Sequence, residues 1–289
     1  MIREIKSLCQ KYQFKPLKRR GQNFLISREV IQKVIAAAEL KENDLVLEIG
    51  AGLGTLTKEI AAKAGKVIAV EIDKQLIRVL NDQLRNYRNI EVVQGSILDP
   101  KCCNVKMLQG CNGFKIVANL PFNITGLVLK RFLSQELRPS LAVLILQKEV
   151  GERIIAQPPK MSLLAVAVQS CARPEIISQA DKSGFWPQPG VDSVIMKIVF
   201  PSPAQGRLTQ DSESDLKEIF FQVVRAGFSS PRKYLVNNFF KRGLIMENKK
   251  KIAKIFEQMG LNPKTRAQEL SIEKWIELAE KIKNLNKNG

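Results

Sequence analysis

Residues 45–54 read Leu-Val-Leu-Glu-Ile-Gly-Ala-Gly-Leu-Gly, and this stretch narrows the fold more than any other. Leu45, Val46 and Leu47 form a short apolar run, the pattern of a buried strand. Glu48 ends the run, and glycines follow at 50, 52 and 54. Gly50 would let the chain turn out of the strand, Gly52 would let a ligand approach the backbone, and Gly54 would let a helix pack close to the sheet. The following pattern is a helix over 55–64, whose first turn offers unpaired N–H groups. A second apolar run, 67–70, ends in Glu71, where the acidic residue of a ribose-binding βαβ unit stands.

Strand, glycine turn, helix, strand and terminal carboxylate together predict a nucleoside site, against the plain alternative of an ordinary βαβ turn. A nicotinamide dinucleotide asks for G-x-G-x-x-G, with its pyrophosphate at the helix N-terminus. Here Thr55 and Leu56 follow, so the last glycine comes one residue early. The run Glu48 to Gly54 resembles motif I of S-adenosylmethionine-dependent methyltransferases. That resemblance implies a ligand without phosphate, its ribose hydroxyls held by the acid of the second strand.

The chain continues in the same alternation. A helix is expected over 29–40, strands over 45–49, 67–71, 90–93, 114–118, 141–146 and 193–200, and helices over 55–64, 74–85, 127–133 and 148–155. Asp73 is placed to cap the helix at 74. Residues 1–20 read as a polar, basic stretch, either a solvated arm or a strap over the site, with Phe14 an isolated aromatic; 101–113 reads as a surface loop. Pro201-Ser202-Pro203 marks a boundary. Beyond it the pattern is helical, over 214–227, 232–241, 249–259 and 271–284, with Ser229 to Arg232 as the start of the second.

The formal net charge is +18, which suggests a polyanionic partner. The excess lies at the ends: residues 1–22 carry seven basic residues and one acidic, and residues 202–289 carry seventeen and ten. Histidine is absent, which removes the commonest zinc ligand and the commonest general base, and no metal site is expected. The five cysteines form no C-x-x-C pair, which suggests reduced thiols and a cytoplasmic location. No apolar stretch has membrane-spanning length and no signal-peptide core opens the chain, so no membrane association is expected.

The fourth strand runs into Asn119-Leu120-Pro121-Phe122-Asn123-Ile124-Thr125. In an open parallel sheet ligands bind beyond the carboxyl ends of the strands. There, the Asn119 amide oxygen and a backbone carbonyl would accept hydrogen bonds from an exocyclic amine, Phe122 would stack on a flat base and Pro121 would stiffen the turn. An Asn-Pro turn carrying a core Phe is the structural alternative. Phe185, in Phe-Trp-Pro-Gln-Pro, reads equally as the other wall of a base pocket or as a core residue before a strand.

With Gly21-Gln22-Asn23-Phe24-Leu25, Glu48 to Gly54, Asn119 to Thr125, Phe185 to Ser193, Arg225 to Phe239 and Arg266 to Leu278 taken together, the chain closely resembles the ribosomal RNA adenine dimethyltransferases over nearly its whole length. The resemblance implies an α/β, Rossmann-like class I methyltransferase domain over 23–201, a basic N-terminal arm over 1–22 and a small all-helical RNA-binding domain over 202–289. It implies S-adenosylmethionine as donor and, as substrate, two adjacent adenines near the 3′ end of 16S ribosomal RNA in a pre-ribosomal particle, acted on by a monomer. Asn23, Leu25, Gly50, Gly52, Glu71, Ser96 and Asn119 would then hold the cofactor. Asn119, Leu120, Pro121, Phe122 and Phe185 would form the base pocket. Phe122 stands where the family usually has Tyr, and Ser96 where it usually has Asp. The related Erm type, acting on large-subunit RNA, and a transcription factor derived from the same fold are the alternatives within this architecture.

Overall fold

The computed structural model describes residues 1–17, 20–99, 101–102, 108, 113–121, 123–133, 139–201, 214–241 and 249–287. Strand β2 (Leu45–Ile49) is buried along its whole length, Glu48 included. It lies within a seven-stranded sheet between β3 (Lys66–Glu71) and β5 (Lys115–Asn119). Beyond β3 lies β4 (Ile90–Gln94), and beyond β5 lie β6 (Leu141–Gln147), β9 (Ser193–Val199) and β7 (Arg173–Ala180). Strands β2 to β6 run parallel, and β9 pairs antiparallel with β6. A separate two-stranded sheet joins β1 (Phe24–Leu25) to β8 (Phe185–Trp186).

Helices α2 (Arg28–Ala38), α3 (Thr55–Ala61) and α4 (Lys74–Leu84) follow the expected periodicity to within a few residues. Val34, Ile35, Leu56 and Ile60 share one apolar cluster with Val46, Val67 and Val117, so α2 and α3 cover the face of the sheet that these valines present. Asp73 caps α4 by accepting from the Gln75 amide at 2.9 Å. Ser27 caps α2 in the same way, accepting from Val30. Next come α5 (Thr125–Leu133) and α6 (Lys148–Ile154), the latter leading the chain out of this unit.

The N-terminus departs from the expectation of a solvated arm. Residues Ile2–Lys11 form α1, which buries Ile5 and Cys9. These pack with Phe14, Phe24, Leu53 and with Leu76 and Val79 of α4. Phe14 is therefore a core residue in edge contact with Phe24, at 6.0 Å between ring centroids. Lys11 and Tyr12 both bond Asp82 on α4. Ile5 and Cys9 stand four apart, on one helix face among the charges, which is how a strongly basic segment still docks on a core.

Contacts divide the chain into Met1–Gly151 with Pro174–Phe200, and Glu152–Arg173 with Pro201–Gly289. The second unit thus includes α7 (Leu163–Cys171), earlier in the chain than the proline boundary, as well as α8 (Ser214–Gly227), α9 (Leu235–Lys241), α10 (Lys249–Gln258) and α11 (Ile272–Lys287). Its core holds Phe220, Phe239, Phe256 and Trp275. Helix α9 begins at Leu235 rather than 232. Ser229 and Lys233 instead donate to Ala226 and Ser230 in successive turns, and Leu235 bonds the Thr265 carbonyl.

Gly227 closes α8 because nothing larger fits. A Cβ there would stand 2.4 Å from Trp275 Cη2 and 2.8 Å from Leu235 Cδ1. Trp275 is fully buried and stacked on Phe228, so its ring has little room to yield. Overpacking of this kind costs about 1–3 kcal/mol, against a gain of up to about 1 kcal/mol in helix propensity. Gly227→Ala should therefore destabilise the helical unit. Urea unfolding in a Trp186→Phe background, with tryptophan excited selectively, reads this directly, since Trp275 is then the one remaining tryptophan.

Candidate active site

A cavity of about 310 Å³ opens at the carboxyl ends of β2, β3 and β5. The register explains which side chains reach it. Glu48 pairs with Ala69 on β3 and with Val117 on β5. Residues two apart on a strand share a face, so Glu71 and Asn119 end their strands on the same side as Glu48. Three polar groups are thus delivered to one place by strands whose preceding residues are apolar.

Glu71 is the most connected of the three. Its Oε2 accepts from the Gly52 amide at 2.9 Å, and its Oε1 accepts from the amides of Ile72 and Asp73 at 2.8 and 2.9 Å. Burial pushes its carboxyl up, and these three N–H groups work against that rise. Its carbonyl also receives the Gly95 amide at 2.9 Å. One residue therefore ties the loops that follow β2, β3 and β4. Gly52 has φ +62°, a region open to glycine, and a Cβ there would meet the Phe24 ring at 3.3 Å.

A strap of residues 20–25 forms another wall of the cavity. Arg20 and Gln22 donate to Asp73 Oδ2 at 2.5 and 2.9 Å, and Gln22 Oε1 accepts from the Leu17 amide at 2.7 Å. Burial would raise the Asp73 carboxyl, but the bonds from Gln75, Gln22 and Arg20 outweigh it and hold the group below its ordinary value. At the other end, Asn119 Nδ2 donates to the Asn23 carbonyl at 2.9 Å. That bond fixes the amide's orientation and leaves its oxygen as the acceptor. A strap over the site is one of the two readings the sequence offers for the basic N-terminal stretch; its anchoring on Asp73 has no local signal.

Among the residues expected at the site, Asn23, Leu25, Gly50, Gly52, Glu71, Ser96, Asn119 and Pro121 line the cavity. Ser96 spends its hydroxyl as a turn cap, accepting from Leu98 at 3.2 Å. Leu120 is buried, and its amide donates to Ile145. Phe185 is 4% exposed, paired through β8 with Leu25 and packed in the cluster with Val30 and Ile195. Of its two readings the structure matches the core residue. Phe122, like Lys18 and Arg19, lies outside the described residues. Phe24, Thr55, Ile72 and Asn123 join the lining without having been singled out. Ile72 is 61% exposed, an unusual position for an isoleucine and an apolar surface at the cavity.

Glu48 is the unexpected member. It is 2% exposed, lines the cavity, and its carboxyl is pushed up to about 8. Burial is the main cause; the Thr57 hydroxyl opposes it and the Glu71 carboxylate adds to it. Neither Glu48 Oε2 nor Thr57 Oγ1 closes a hydrogen bond of good geometry. The folded protein must keep a proton here that the unfolded chain releases above a glutamate's ordinary 4.5. The raised carboxyl contributes stability that is lost progressively as pH rises from about 4.5 to about 8. Glu48→Gln mimics the protonated form and escapes that loss. Its melting curve should approach the wild type near pH 5 and lie well above it at pH 8, which calorimetry across that range will show.

Comparison with known proteins follows the same outline. Residues 13–284 match the family model described as ribosomal RNA adenine dimethylase. The ribosomal RNA small subunit methyltransferase A of Dehalococcoides mccartyi (strain ATCC BAA-2266 / KCTC 15142 / 195) is 38% identical over 277 residues, covering 95% of this chain and 91% of that protein. The protein of the same description from Pelotomaculum thermopropionicum is 35% identical over 286 residues, covering 96% and 94%. Among solved structures, a dimethyladenosine transferase from Plasmodium falciparum superposes with a TM-score of 0.73 at 25% identity, covering 92% of this chain and 98% of that one. The 23S rRNA methyltransferase ErmE superposes with a TM-score of 0.69 at 25% identity, covering 90% and 100%. The sheet and its helices have the Rossmann-like class I methyltransferase architecture, with a helical C-terminal region. On the family match over nearly its whole length, this chain belongs to the ribosomal RNA adenine dimethylases.

Proposed function

We propose that the protein transfers methyl groups from S-adenosylmethionine to the exocyclic amines of two adjacent adenines near the 3′ end of 16S ribosomal RNA, during small-subunit assembly in the cytoplasm. The observation that carries this reading is Asn119: an amide at the end of β5, beside a nucleoside-sized cavity, held by Asn23 so that its oxygen is the acceptor. The small-subunit relatives support the RNA class, and the net charge of +18 suits a polyanionic substrate. The structural likeness to a 23S rRNA methyltransferase supports the alternative of a large-subunit substrate.

The residues present fit such a cofactor. Gly50 and Gly52 would let it approach the backbone, and Glu71 would bind the ribose hydroxyls. A carboxylate has about four lone-pair sites, and three here hold N–H groups, so one site, on Oε2, remains for a ribose hydroxyl. Ile72 and Ile97 offer apolar contacts for a purine, and Asn23 and Leu25 would close the strap over it. When bound, the cofactor supplies a methyl group already activated by its sulfonium.

The chain's own task is then alignment. Asn119 Oδ1 and the Leu120 carbonyl would accept the two amine hydrogens of adenine. They would favour a pyramidal nitrogen and stabilise the positive charge that develops there. Phe122 would stack on the base, and Pro121, lining the cavity, would keep the turn rigid. The proton can leave to water, so the absence of histidine is no obstacle. Adenines stacked in RNA must be drawn out to enter the pocket.

Mapping of dimethyladenine in particles of both ribosomal subunits lacking it, after incubation with the protein and labelled donor, tests the reading. Label confined to large-subunit RNA would overturn it in favour of the alternative. Asn119→Ala should slow single-turnover transfer about a hundredfold or more at saturating donor, since losing one contact of this kind costs about 2.7–4 kcal/mol in the transition state. RNA affinity should change far less. Saturating donor matters because the same side chain also anchors the strap.

A further inference from the structure

The strap of residues 20–25 is held at two places, and the two are unlike. In the sheet, β2 lies between β3 and β5. At the end of β5, Asn119 Nδ2 donates to the Asn23 carbonyl at 2.9 Å, a bond between neutral groups. Just past the end of β3, Asp73 Oδ2 accepts from Arg20 at 2.5 Å and from Gln22 at 2.9 Å. Hydrogen bonds to an ionised group are about twice as strong as neutral ones. The strap therefore crosses the glycine loop that follows β2, with its firmer hold on the β3 side. Phe24, in the same strap, stands against Gly52.

Asp73 does more than cap α4. The cap uses Oδ1 alone, on the Gln75 amide, and capping needs an acceptor rather than a charge. The charge is spent on the strap. Burial opposes it, yet the bonds from Gln75, Gln22 and Arg20 hold the carboxyl below its ordinary value. The Asp73 amide donates to Glu71 Oε1 at 2.9 Å, so the residue that ties down the strap also braces the carboxylate proposed to hold the ribose. The Asp73 side chain is 5% exposed and that of Arg20 is 46% exposed. A buried, ionised acceptor thus meets a donor that water can receive each time the bond opens, which makes the bond firm and still reversible.

Building on the cofactor reading above, we propose that Asp73, with Arg20 and Gln22, is a positioning residue of the donor site: the three latch the strap over S-adenosylmethionine and set how fast donor and spent S-adenosylhomocysteine exchange. Dimethylation of an adenine consumes one donor after another, so the strap must be released and refastened in the course of the reaction. A ligand against Gly50 and Gly52 lies between the strand ends and the strap. With the latch open the strap keeps its Asn119 bond but loses its charged anchor, and the ligand escapes faster. The latch stands on the β3 side, apart from the Asn119 end where the amine is aligned, so it acts on donor binding more than on transfer.

Stopped-flow displacement of bound S-adenosylhomocysteine tests it, alongside steady-state and single-turnover methyl transfer. Asp73→Asn keeps an acceptor for the cap and removes the charge, and Arg20→Gln removes the partner charge at a half-exposed position. Each should speed release of S-adenosylhomocysteine about fivefold or more and raise the donor KM to match. Single-turnover transfer at saturating donor should fall by less than about threefold. Arg20→Lys, which keeps the charge, should restore most of the slow release. The double variant should release no faster than Asp73→Asn alone, because both substitutions remove the same bond. Release at the wild-type rate in both single variants, or effects that multiply in the double variant, would overturn the proposal. Wild-type protein that binds neither S-adenosylmethionine nor S-adenosylhomocysteine would overturn the cofactor reading itself, a result distinct from either.

Discussion

The site depends on one carboxylate and the amides it gathers. Glu71 ends a buried strand, and its side chain bonds Gly52, Ile72 and Asp73 while its carbonyl bonds Gly95. The loops after three neighbouring strands are thereby fixed to one residue. Charge-assisted bonds of this type are stronger than neutral ones, and their low-dielectric surroundings raise the stakes of each. Asp73 extends the set to Arg20 and Gln22, and Asn119 meets the strap at Asn23. A continuous run of hydrogen bonds thus borders the cavity, and each link begins at the end of a regular element.

That dependence explains what could be read from the chain. The strands from 45 to 147 and their helices were legible because each is a run of one period bounded by a glycine, a cap or a proline. Glu71 and Asn119 were legible because the sheet topology sends strand ends to the ligand face. The strap was legible only as one of two readings of a basic stretch; its anchors on Asp73 and Asn119 were not, because they lie 51 or more residues away and no local pattern announces them. Strands β1 and β8 have two residues each, too few for any period to register. Edge strand β7 escaped for another reason: Pro174 interrupts it and its alternating positions are only half-buried.

Phe185 and Phe14 show the same limit at single residues. An aromatic beside prolines, or alone among charges, looks equally suited to a ligand or a core. Only pairing decides: Phe185 is set by Leu25 across a strand pair, and Phe14 by Phe24. Phe24 in turn leans on Gly52. The N-terminal segment is therefore part of the structure that shapes the glycine loop, and its positive charge is carried on a helix whose other side is core.

Glu48 was legible as a residue but not as a problem. In sequence it looks like a polar stop after an apolar run. Its difficulty appears only when α3 and the neighbouring strands bury it beside Glu71 with only the Thr57 hydroxyl to oppose the cost. Burial pushes both carboxyls up at these adjacent strand ends; three N–H groups oppose the rise at Glu71, and only the Thr57 hydroxyl opposes it at Glu48. The fold can sustain the cost of Glu48 because the rest of β2 is apolar and fully buried, so the strand's position does not depend on the carboxyl it presents.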